Sequence, residues 1–185
     1  MSEQTVSSWD DVPIDPTPPY VLFESFEEYV QENMASPLPD VREWLQTGLK
    51  HYPELADETI YVGITHEDIT WHGEPHAMAD PFNRIIYLNQ GCMAEGYQTL
   101  FHELMHILIR TEHEEGKDVP LTSEEYCSIR TIAKMPSDLL YRDDISYLGE
   151  PNVPKDKWPG ICQRAVEYRE DHRNYIQKAK EWLEV

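Results

Sequence analysis

Apolar positions along the chain fall into segments of two different periods. "VREWLQTGLKHY" places Val41, Trp44, Leu45 and Leu49 at i, i+3, i+4 and i+8, one stripe of a helix, and Asp40 with Glu43 has the spacing of a capping box. A weaker start of the same kind, Ser25 with Glu28, opens "SFEEYVQENM". "ETIYVGIT" and "NRIIYLNQG" are β-branched and aromatic runs closed by Asp, Gly and Asn, and read as strands, with "DITWHGEPHAMADPF" between them supplying a further strand and a loop. Helical period returns at about Met93 to Arg110, where Tyr97, Leu100, Phe101, Leu104, Ile107 and Leu108 form a continuous apolar face.

Gly116 and Pro120 break that pattern, and "TSEEYCSIRTIAKM" restarts a helix capped by Thr122 or Ser123 and stopped by Pro136. The segment from Pro136 to Pro159 is turn-rich. Gly160 to Leu183 then predicts one long helix, with Ile161, Ala165, Tyr168, His172, Tyr175, Ala179 and Trp182 at alternating spacings of 4 and 3. A seam of that period packs lengthwise on another helix, either in the same chain or in a second copy, so a homo-oligomer through this helix is one expectation, and His172 is expected as a hydrogen-bonded core residue. Residues 1–20, with Pro13, Pro16, Pro18 and Pro19, read as a flexible acidic arm. The remainder, 21–185, is expected to be a single α+β domain with its core in 40–136 and a helical extension in 137–185.

Composition narrows the partners. Of 185 residues, 35 are acidic and 15 basic, a formal charge of −20 at neutral pH, which disfavours nucleic acid. The even spread of these acids along the chain fits a salty cytoplasm, as in a halophilic organism or its virus, where salt screens the self-repulsion. No apolar run approaches membrane-spanning length and the first residues are unlike a secretory signal, so a cytoplasmic protein is expected. Cys92, Cys127 and Cys162 have no CxxC spacing and read as free thiols rather than a disulfide framework.

Candidate chemistry sits in "HELMH". His102 and His106, four apart, lie one turn apart on one side of a helix, close enough for both imidazoles to reach a single Zn²⁺. Glu103, the next residue round the helix, reaches a water beside the metal rather than the metal, the position a general base needs. A catalytic zinc takes a third protein ligand, and downstream the sequence offers Glu112, His113, Asp118, Glu124 and Glu125. The HExxHxxGxxH spacing is excluded, because Ile109 stands in place of its glycine and His113 is one residue too late. Of the two helix glutamates, Glu125 shares a stripe with Ile129 and Ile132 and is expected to point inward, whereas Glu124 projects with Ser128 and Thr131. His72, His76, Tyr141 and Tyr147 remain open as donors to a developing oxyanion.

Over about Arg84 to Pro136 these residues resemble the ImmA/IrrE family of gluzincin metallopeptidases: a strand "RIIYLN", a helix "YQTLFHELMH" like the family's FTLAHELGH, and a glutamate helix ending in proline. Met105 replaces the family's glycine, and Tyr126 and Cys127 stand where Ala and Asn are common. The resemblance implies a small zincin-like domain, a short mixed or antiparallel sheet packed on the HExxH helix, and zinc held by His102, His106 and Glu125, the last eleven residues before Pro136. It further implies an intracellular regulatory protease cutting a protein substrate such as a repressor. In the mechanism expected from the residues themselves, Glu103 is the base and "RIIYLN" the edge strand along which an extended substrate pairs. The alternative from another class is a non-catalytic zinc-binding interaction module.

Overall fold

The computed structural model describes residues 20–22, 47–48, 50–65, 70–71, 74–75, 77–89, 97–140 and 147–185. Most of the 1–20 arm, the segment opened by Ser25, and His72, His76, Cys92 and Tyr141 lie outside them. Among the described residues the chain is α+β. Strands β1 (Tyr20–Leu22), β2 (Ile60–Thr65), β3 (Thr70–Trp71), β4 (Glu74–Pro75), β5 (Ala77–Asp80) and β6 (Ile85–Asn89) precede helices α1 (Tyr97–Glu114), α2 (Glu124–Lys134), α3 (Trp158–Arg169) and α4 (Tyr175–Leu183).

The main sheet has the order β1-β2-β6-β5, while β3 and β4 form a separate short antiparallel ribbon. β1, β2 and β6 are parallel, and β5 runs antiparallel to β6 with Ala77 opposite Leu88 and Asp80 opposite Ile85. The sheet is therefore mixed. "RIIYLN", expected at the edge, is interior, flanked by β2 and β5, and the short "AMAD" strand is the edge. The turn that makes this possible is local: Asp80 Oδ1 accepts from the backbone N–H of Phe82 and Asn83, the Asp80 side chain standing in for a backbone turn, and Arg84 takes a left-handed conformation (φ 54°) to re-enter the sheet.

The hairpin tip is strapped to the last turns of α1. The Arg110 guanidinium lies 4.1 Å from the centre of the Phe82 ring and donates to Glu114, which also accepts from Arg84, which in turn donates to Glu58. α1 runs four residues past the expected Arg110, and Leu100, Phe101, Leu104, Met105, Ile107, Leu108 and Ile109 are all buried, meeting Ile60, Ala77, Ile86 and Leu88 of the sheet and the apolar side of α2. Each such side chain contributes about 1.5–3 kcal/mol by leaving water. Tyr52, fully buried, donates from its hydroxyl to the Phe101 carbonyl at 2.8 Å.

α2 begins where the sequence places it: Ser123 Oγ accepts from the Tyr126 N–H. Its surroundings differ from expectation, since α1 packs on one side and α3 and α4 on another, so Ser128 and Thr131 are as buried as Ile129 and Ile132. The long C-terminal helix is two helices. Backbone N–H groups of Glu170, Asp171 and His172 bond three residues back, tightening the last turn of α3, and the His172 ring stacks on Tyr168 at 3.9 Å with Nδ1 3.2 Å from the Tyr168 carbonyl. The chain then reverses, α4 packs on α3, and His172 is exposed rather than core, so the expected lengthwise seam is not formed. No helix among the described residues is long and apolar enough to cross a membrane.

Candidate metal centre

α1 brings His102 and His106 onto one side, and α2 presents its first turn to them. Glu124 Oε2 lies 3.0 Å from His102 Nε2 and 3.2 Å from His106 Nε2, and the two Nε2 atoms are 3.2 Å apart. Three lone-pair-bearing atoms thus form a nearly equilateral triangle. Donors 2.0–2.1 Å from a tetrahedral zinc stand about 3.3–3.4 Å from one another, so the triangle fits one face of such a site with shifts of a few tenths of an ångström.

Glu125, the expected third ligand, is not part of it. Its Oε1 lies 3.6 Å from Lys180 Nζ of α4. Burial does not separate the two carboxylates, whose side chains are 43% and 42% exposed; direction does. The apolar stripe does not mark the metal side because α2 is enclosed on more than one flank, and the flank carrying Glu124, Cys127, Ser128 and Thr131 is the one that meets the histidines. Of the other downstream candidates, Glu112 is held by Arg130, while His113 and Asp118 are exposed and outside the cluster.

Cys127 went unnoticed as a donor in the sequence. It is fully buried, its thiol donates to the His102 carbonyl at 3.3 Å, and its Sγ and one ring nitrogen each of His102 and His106 lie within 4.8 Å of one another, so the three could hold a metal ion. The signal was available: Glu124 and Cys127 at i and i+3 share a helical face.

These groups perturb one another strongly. Burial disfavours charge on His102, yet Cys127, Glu124 and Glu103 raise its pKa well above the ordinary value, and against the same burial His106 is pushed up to about 10. Burial likewise opposes ionisation of Glu124 and Cys127, and the two imidazoles overcome it, lowering both. The cluster therefore favours positive charge at its centre, and a metal cation there competes with protons for the same donor atoms.

Glu103, only 4% exposed, lines a cleft of about 260 Å³ with His106 and Glu124. Ala77, Met78 and Ala79 of β5 line it as well, together with Leu121 and Thr122. Tyr147 stacks on His102 with ring centres 5.5 Å apart and planes 18° from parallel; burial, then Glu124 and Glu103, push its phenol up to about 12. A larger hollow of about 490 Å³ around Pro151, Pro154 and Trp158 shares no residue with this cleft. Comparison with family models, with curated proteins and with solved structures finds no match to the chain.

Proposed function

We propose that the chain is a zinc-dependent peptidase of gluzincin type, with a zincin-like core, in which His102, His106 and Glu124 hold the metal and Glu103 is the general base. The observation that carries this reading is the triangle of two imidazole nitrogens and one carboxylate oxygen, with edges of 3.0, 3.2 and 3.2 Å, beside a buried glutamate in a cleft. Two nitrogens and an oxygen are a donor set that suits zinc, and three protein ligands are the number a catalytic zinc takes. The third ligand is then one residue before the position implied by the likeness to ImmA/IrrE proteins.

A zinc ion bound there would act as a Lewis acid toward water and a substrate carbonyl. The Glu103 carboxylate accepts the proton of the attacking water and returns it to the leaving nitrogen. Its burial keeps bulk water from competing for that proton. β5, the edge of the described sheet, offers its outward N–H and C=O groups to an extended peptide laid across the cleft. Tyr147, stacked on His102, fixes the ring plane of that ligand. The acidic surface supports a salty cytoplasm as the setting.

The test is hydrolysis of unstructured fluorogenic peptides in concentrated salt by the zinc-loaded chain and its Glu103→Gln variant. The variant is expected to bind zinc normally and to lose about 10²–10⁴-fold in turnover. Undiminished cleavage by Glu103→Gln refutes the role of Glu103. One observation favours a second reading, a non-catalytic zinc module: Cys127 beside the histidines could give the metal a complete set of protein ligands.

A further inference from the structure

We propose that Cys127 is a fourth protein ligand of the same ion, so that at rest the centre is closed by the chain itself and the position needed by water is held by a thiolate. The inference rests on the metal reading above and concerns how that site is regulated. Each helix presents a pair of donors on one face: His102 and His106 at i and i+4 of α1, Glu124 and Cys127 at i and i+3 of α2. The two faces meet, as the contact of Cys127 Sγ with the His102 carbonyl and of Glu124 with both imidazoles shows. Four protein donors fill a tetrahedral zinc, whereas a catalytic site keeps one position open.

In a tetrahedral centre a sulfur bound at about 2.3 Å stands about 3.6 Å from each nitrogen bound at 2.0–2.1 Å. Cys127 Sγ lies within 4.8 Å of a ring nitrogen of each imidazole, so the gap to close is no more than about 1.2 Å, which a turn of up to about 40° about its Cα–Cβ bond, or a smaller turn together with shifts of the rings, supplies. Ligation breaks its weak hydrogen bond to the His102 carbonyl and releases the thiol proton to solvent. Cys162 provides the contrast: it is buried in α3 and belongs to no such donor cluster among the described residues. With two imidazoles, a carboxylate and a thiolate in place, Glu103 has no water to activate until Cys127 withdraws.

The experiment is the absorption spectrum of the full chain loaded with Co²⁺. A near-ultraviolet thiolate-to-cobalt charge-transfer band with the intensity of one thiolate is expected. It should vanish in Cys127→Ala and Cys127→Ser, with metal affinity falling roughly tenfold or more, and persist in Cys92→Ser and Cys162→Ser. With zinc, the Cys127 variants should cleave peptides faster than the parent chain. Cobalt bound without the band, or a band that survives Cys127→Ala, overturns the proposal. If the band depends on Cys127 but no form of the chain cleaves peptides, the ligand assignment stands and the peptidase reading fails. Absence of cobalt binding removes both.

Discussion

Replacing Glu124 and Glu125 one at a time by alanine separates a metal ligand from its sequence neighbour. Glu124 Oε2 stands 3.0 and 3.2 Å from the two imidazole nitrogens. Removing a group that merely orients a ligand costs 10–100-fold in metal affinity, so removing a ligand costs at least that, about 1.4–2.7 kcal/mol or more. Glu125, 3.6 Å from Lys180 in a half-exposed pair, contributes about 0–1 kcal/mol to folding and nothing directly to the metal. Its only route to the ion is through-space attraction, and at about 1 M salt the screening length is only about 3 Å. Zinc affinity should therefore be measured in about 1 M salt, by competition with a chromophoric chelator. Glu124→Ala is expected to weaken binding at least tenfold, and Glu125→Ala to leave it within about twofold. Equal losses, or the larger loss at Glu125, would show that α2 presents a different face to the histidines and would remove the triangle on which the site is built.

Two further outcomes test the scaffold that holds α1. A Cβ at Gly48 would lie 2.9 Å from both Leu104 Cδ1 and Phe101 Cε1, so Gly48→Ala should destabilise by about 1–3 kcal/mol in urea titration, outweighing the 0.5–1 kcal/mol that alanine gains in a helix; a stabilised variant would mean that the contact does not exist. Tyr52→Phe removes the donor to the Phe101 carbonyl and should cost about 0.5–1.5 kcal/mol in the same titration with zinc affinity unchanged, whereas an altered affinity would tie this bond to the site.

The parts of the fold set by strong periodicity could be read from the chain alone. β2 and β6 lie where the β-branched and aromatic runs put them and the apolar face of α1 where the helical stripe does, and Ser123 caps α2 as its side chain suggests. Legibility stopped where tertiary surroundings outweighed the local pattern. Ser128 and Thr131 look like solvent positions, yet packing of α2 on its neighbours buries both, and that reversed the choice between Glu124 and Glu125. The break after Arg169 has no glycine or proline to announce it; it is made by i→i−3 bonds and by the His172 ring on Tyr168. β5 is four residues long, too short for alternation to reveal that it, and not β6, forms the edge.

The strap from Phe82 and Arg84 ties the tip of the hairpin to the end of the histidine helix. The cleft that β5 and Glu103 line, about 260 Å³, is a narrow slot beside that joint. Under the proposed activity, such a slot admits a single unravelled strand and rejects anything already folded. The susceptible bonds of a target would be those in its loose tails and long linkers, and selectivity would come as much from a target's local unfolding as from the residues flanking the cut.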